Sequence, residues 1–168
     1  MKLRNLKKAP FEIATLLAGN SNIVRLIYDD SSSVLVDKKD FNLSAKELIE
    51  QNYIGFYPAT ETGIKEIDKN TFMVINLEDF SFNSTDNNIS VSGAVYITTD
   101  KAHCLLADNR LRLLELINEI EETLDNKKLS SAGQIHTNSA NYVVFSDFRS
   151  GYRINFRIYD QATRKAEL

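Results

Sequence analysis

Cysteine is almost absent: Cys104 stands alone in 168 residues, so no internal disulfide framework can form. Histidine is nearly as scarce, with His103 and His136 the only two. A zinc centre needs three or four Cys, His or carboxylate ligands, and no CxxC, HxxxH or HExxH spacing occurs. The six glycines are never arranged as GxGxxG or GxxxxGK[ST], which removes two common phosphate cradles, and there is no GxSxG elbow. No stretch approaches the roughly 20 apolar residues that span a bilayer. The basic start, Met1 to Lys8, is followed by no apolar segment of useful length, so it does not read as a secretory signal. A reducing compartment is therefore expected, and the sequons at Asn42, Asn83 and Asn88 are chance occurrences. A formal charge of −3 excludes a strongly basic nucleic-acid binder.

What is present is ordinary globular material. The chain is 43% apolar and 26% charged, and a chain of this length buries roughly 70% of the surface its unfolded form exposes. The expected organisation is a basic arm (1–10), one α+β domain (11–160) and a polar tail (161–168).

Local pattern predicts the elements. Phe11, Ile13, Leu16 and Leu17 predict a short helix after Pro10, closed by Gly19-Asn20. Ile23 to Tyr28 reads as a strand, followed by the polar turn Asp29 to Ser33. Ser44-Ala-Lys-Glu47 has the form of a capping box. Tyr53 to Tyr57 is β-rich and stops at Pro58. Thr71 to Leu77 runs on towards Phe82; Ile89, Val91, Gly93, Val95 and Ile97 then alternate with polar or small residues. These predict a long antiparallel hairpin with a polar tip around Asn83, Asp86 and Asn87. Asp100 is the expected N-cap of a long helix whose apolar stripe is Leu106, Leu113, Ile117, Ile120 and Leu124. Its wet face is acidic, with Glu115, Glu119, Glu121 and Glu122 among residues that outnumber Arg110 and Arg112. Residues 125–133 read as a linker. A closing hairpin runs from Tyr142 to Phe148, turns at Arg149-Ser-Gly151, and returns with Tyr152, Ile154, Phe156 and Ile158 facing inward. The order implies one antiparallel sheet of two long hairpins with the amphipathic helix across a face.

No catalytic, cofactor-binding or metal-binding residue is assigned. His103 and Cys104 are adjacent and point about 100° apart if helical, so they are no nucleophile–base pair; a dyad of Cys104 with His136 is possible on paper. Asp29-Asp30 reads as a solvated turn rather than a cation site. Charge is sided, however. Arg149, Arg153, Arg157, Arg164 and Lys165 make the C-terminal hairpin and tail basic, opposite the acidic helix. Ordinary surface charge is one reading. The other is complementary patches between copies, with Arg149, Arg153, Arg157, the tip residues Asn83, Asp86 and Asn87, and Glu115, Glu119 and Glu122 as interface candidates.

The succession of Ile23–Tyr28, Thr71-Phe-Met-Val-Ile-Asn-Leu77, the alternating Ile89–Ile97, Asp108-Asn-Arg110 opening a helix, and Gly151-Tyr-Arg-Ile-Asn-Phe-Arg-Ile158 resembles the tail terminator (tail completion) proteins of tailed bacteriophages. The likeness is one of order over about residues 11–160, and the segment between Tyr28 and Thr71 departs from it. It implies a non-enzymatic virion protein that forms a ring, commonly a hexamer, on the last tail-tube ring. Its partners would be copies of itself, the tail-tube protein and the head-side connector protein. DNA would pass through the lumen as cargo, with no membrane partner and no cofactor. Assembly would take place in the host cytoplasm. An acidic lumen wall would let DNA slide, which places the acidic helix nearer the channel than the arginine hairpin. Another tail or baseplate component, or a small binding module whose basic arm contacts nucleic acid, are the alternatives.

Overall fold

The computed structural model describes residues 6–56, 67–83, 88–146 and 149–159. Helices come first: α1 (Ala9–Ala18), α2 (Ser21–Tyr28), α3 (Val34–Asp37) and α4 (Ala45–Glu50). Strands β1 (Ile54–Gly55), β2 (Thr71–Asn83) and β3 (Asn88–Asp100) follow, then a 3-10 turn (Lys101–His103) and α5 (Arg112–Leu124). The chain closes with β4 (Lys128–Leu129), β5 (Gly133–Ser146) and β6 (Arg149–Tyr159). All six strands form one curled sheet in the order β1-β2-β3-β6-β5-β4, with the helices on one face, so the α+β class holds. The sheet is mixed rather than antiparallel throughout, because β1 pairs with β2 in parallel at Ile54 and Gly55.

Period-two alternation places the core as expected. Val91, Val95 and Ile97 on β3 and Ile154, Phe156 and Ile158 on β6 are buried towards the helices, beside Met73 and Ile75 of β2. Ile13, Leu17, Leu26, Leu48, Leu116 and Ile120 cover them. Gly93 is required within this layer: a Cβ there would lie 2.4 Å from Asn76 O and 2.6 Å from Phe156 Cζ. The opposite face carries a smaller cluster of Phe72, Val74 and Phe145, packed with Tyr96 and Val143.

Four expectations need correction. Ile23–Tyr28 is a helix, not a strand: Asn20 caps it by accepting from Asn22 N at 2.9 Å, and Ile23 to Ile27 are all buried. The helical period is present, since Ser21, Asn22, Arg25 and Tyr28 share one face and Ile23, Val24, Leu26 and Ile27 the other, but a segment read only from Ile23 is too short to show it. The long helix begins at Arg112 rather than near Asp100. Asp100 instead precedes the 3-10 turn, and Leu106 is buried from a loop. Within α5 the buried line is Leu113, Leu116, Ile120 and Leu124, with Ile117 only half-buried at its margin. The linker conceals β4 and the start of β5, whose Gln134-Ile-His136 offers a single apolar residue to mark a strand. Finally, Arg149 to Gly151 lies in strand, not in the turn, because Ser146 already pairs with Arg149. The capping box is formed as read: Ser44 Oγ accepts from Glu47 N, and Glu47 Oε2 accepts from Ser44 N at 2.8 Å.

The β2–β3 hairpin exists, paired from Thr71↔Thr99 to Asn83↔Asn88 with a bulge between Leu77 and Asp79. Its tip, with Asp86 and Asn87, lies outside the described residues, as do residues 1–5 of the arm, Pro58, and the tail with Arg164 and Lys165.

Candidate functional site

Most charges singled out in the sequence hold the fold together. Arg112 is fully buried and is not part of the wet helix face. Its Nη1 donates to Leu26 O (2.6 Å) and Asp29 O (2.8 Å), Nη2 to Ser31 O (2.8 Å), and Nε to His103 O (3.0 Å). One guanidinium thus satisfies a last-turn carbonyl of α2 and ties the start of α5 to two loops. Burial pulls the pKa of Arg112 below its ordinary value, opposed by the nearby Asp30 and Asp29. Glu119 is likewise committed: its two oxygens accept from Asn20 Nδ2 (2.9 Å) and Asn22 Nδ2 (2.8 Å), pinning α2 to α5. Glu115 accepts from Arg110 Nη1 at 2.8 Å. Of the acidic candidates Glu122 is exposed, beside the equally exposed Glu121.

The three arginines of β6 divide the same way. Arg149 pairs with Asp100 at 2.9 Å, donates to Lys69 O, and lies 5.1 Å from the Phe72 ring centroid. Arg153 is bonded to Glu78, and its Nε donates to Tyr96 Oη at 3.0 Å, while Tyr96 Oη donates to Glu78 at 2.8 Å. Burial and Glu78 together push the Tyr96 phenol pKa up. Arg157 is exposed, with its guanidinium 5.9 Å from the Tyr159 ring. Asn83 ends β2. The structure therefore leaves Arg157 and Glu122 on the surface and uses Arg149, Arg153, Glu115 and Glu119 internally.

The paired groups weighed for chemistry are far apart. Cys104 Sγ donates to Asp100 O at 3.3 Å, at the Arg149 end of the sheet. His136 faces Arg157, eight strand positions away, which is roughly 26 Å at the rise of a β-strand. Burial pushes the Cys104 thiol up, and Asp100 adds to the shift. Asp29 accepts from Ser31 N at 2.8 Å within the turn, and Asp30 accepts from Asn70 Nδ2 at 2.6 Å, tying the turn to the residue before β2. Among the described residues no cluster of three His, Cys, Asp or Glu side chains could hold a metal ion, and no helix is long and apolar enough to cross a membrane.

The feature that composition did not reveal is an open sheet edge. β4 covers β5 only at Gly133 and Gln134. Ile135 and Thr137 are still engaged by Asn126, Lys127 and Asp125 at the end of α5. Beyond them, residues 138–144 have no second neighbouring strand among the described residues. That run, Asn-Ser-Ala-Asn-Tyr-Val-Val, contains no charge and no proline, the usual guards of an edge. Tyr142 and Val144 are 60% and 65% exposed. Beside the edge lies a cleft lined by Ile117, Glu121, Asn138, Ala140 and Ile154. Unpaired main chain next to a partly apolar cleft is the geometry that accepts an added strand. A neutral seven-residue run was visible in the sequence; that it lies at an edge depends on strand order, which was not.

A family model described as YomW, which is phage-associated, matches residues 20–158. No curated protein matches the chain.

Proposed function

This chain belongs to the YomW family, and from that premise we propose that it is a structural virion protein that assembles with copies of itself into a ring at the phage tail or neck. The ring acts as a tail terminator: it caps the tail tube, meets the head-side connector, and lets DNA pass through its lumen. It works in the virion after assembly in the host cytoplasm. The single observation that carries this reading is the exposed, uncharged edge at 138–144 with Tyr142 and Val144 on it. A soluble monomer with such an edge is at risk of uncontrolled pairing, whereas a subunit that meets a partner there uses it. Exposed Glu121 and Glu122 on α5 suit a channel wall that repels phosphate.

Light scattering and negative-stain microscopy across concentration, with and without purified tail tubes, test the reading. Rings in solution or density on tube ends are expected. A monomer up to about millimolar concentration that also ignores tube ends overturns it. DNA binding with a steep log–log salt slope, near −0.9 per phosphate contacted, would instead favour a nucleic-acid module.

A further inference from the structure

Resting on the ring reading, we propose which surfaces close it: β5 of one subunit adds antiparallel to β2 of the next, so that the sheets run on from copy to copy. Among the described residues both strands are open on their outer sides, because β1 pairs with β2 only at Met73 and Val74 and β4 with β5 only at Gly133 and Gln134. Each also has a straight run there. β5 is regular between its bulges, over 139–144, and β2 is regular beyond its own bulge, over 79–83. These lengths match a typical strand of five or six residues.

Direction is right for a ring. Three antiparallel pairings separate β2 from β5, so the two edges run in opposite senses within one subunit. A rotation that preserves strand direction therefore sets β2 of the neighbour antiparallel to β5. Two different surfaces meet in such a contact, which is the head-to-tail kind that closes rings.

Side-chain parity agrees. Ala140 and Tyr142 stand opposite Ile154 and Tyr152, on the helix side of the sheet, and Phe80 stands opposite Val91 on that same side. Phe80 is 42% exposed, so joining the edges sets it against Tyr142 and near the cleft of Ile117 and Ala140. On the other side Asp79, opposite Ser92, then faces Val143, and Ser81 faces Asn141. A β5–β5 contact instead joins like edges, and its two-fold symmetry closes a pair and stops.

Cysteine cross-linking tests the contact. In a Cys104→Ser background, Ser81→Cys is combined with Asn141→Cys, both on the face opposite the helices; Asp79→Cys with Asn141→Cys covers a register two residues away. Mild oxidation, in solution and on tail tubes, should yield a ladder of covalent multimers from one double variant and monomer from every single variant. Covalent dimers from Asn141→Cys alone would overturn the proposal in favour of the two-fold pair. Absence of cross-links from both double variants, with circular dichroism unchanged and ring mass retained by light scattering, overturns this contact and leaves the ring. Monomer under every condition, without tube binding, removes both.

Discussion

Arg112 is the position where a single change should cost most for its size. Replacing it with methionine keeps the length and apolar stem but withdraws three donating nitrogens from four carbonyls: Leu26 O, Asp29 O, Ser31 O and His103 O. Hydrogen bonds to a charged group contribute roughly 1.5–3 kcal/mol each, but they are not additive when one group makes them all. The Leu26 contact is buried, while the other three acceptors are half-buried and can partly regain water. Losing the partner of buried polar groups then costs about 3–5 kcal/mol, a large share of the 5–15 kcal/mol typical of a whole domain. Arg112→Lys keeps the charge but offers one nitrogen where three were used, so it should recover less than half of that loss. Urea unfolding followed by far-UV circular dichroism reads the effect, with the slope m unchanged if only stability has moved. A loss under about 1 kcal/mol for Arg112→Met would refute the view that this guanidinium clips α2, the following loop and α5 together.

Three further outcomes are expected. Leu116→Ala should destabilise by about 2–5 kcal/mol and Ile117→Ala by clearly less, since Leu116 is fully buried and Ile117 sits at the helix margin; equal losses in urea titrations would move the centre of the helix stripe. Gly93→Ala should cost at least about 2 kcal/mol or abolish soluble expression, because its Cβ must displace Asn76 O or the Phe156 ring; a neutral thermal melt would contradict that packing. Stability should fall on acidification. Burial opposes ionisation of Glu12, yet hydrogen bonds from Ser130 and Ser131 outweigh it and hold the carboxyl below its ordinary 4.5; Ser31 does the same for Asp29 below 3.8. With folded values depressed, their contribution is complete above the ordinary values and is lost as pH drops through them. Glu12→Gln should flatten the acid limb of a melting-temperature profile, and an unchanged limb would count against the Ser130 and Ser131 contacts.

How far the sequence could be read follows from what each pattern measures. Alternation sorted Val91–Ile97 and Tyr152–Ile158 correctly because those strands have one face on the core and one away from it. The same tool failed on Ile23–Tyr28, because the polar face of that helix is made by Ser21, Asn22, Arg25 and Tyr28 and half of it precedes the segment read as a strand; Asn20 as a cap was the other available clue. Arg112 looked like a surface cation because composition cannot say that four carbonyls converge on it. Arg149, Arg153 and Glu119 read as interface candidates in the sequence, where their partners within the fold, Asp100, Glu78 and Asn20, are not legible because they lie 49, 75 and 99 residues away in the chain. The open edge was hidden for a related reason. Residues 138–144 become an edge only because β4 is two residues long and β6 is already taken by β3.

The central claim is that this edge is where subunits meet, and it is tested most directly by mass. Tyr142→Lys with Val144→Lys places two guards on positions already exposed to water, so folding should be unaffected. Light scattering of the two proteins at matched concentration, alone and mixed with tail tubes, gives the answer. Multimers or tube-bound wild-type protein are expected, with a monomeric, unbound double variant of the same melting temperature. A double variant that assembles as the wild type does would contradict it.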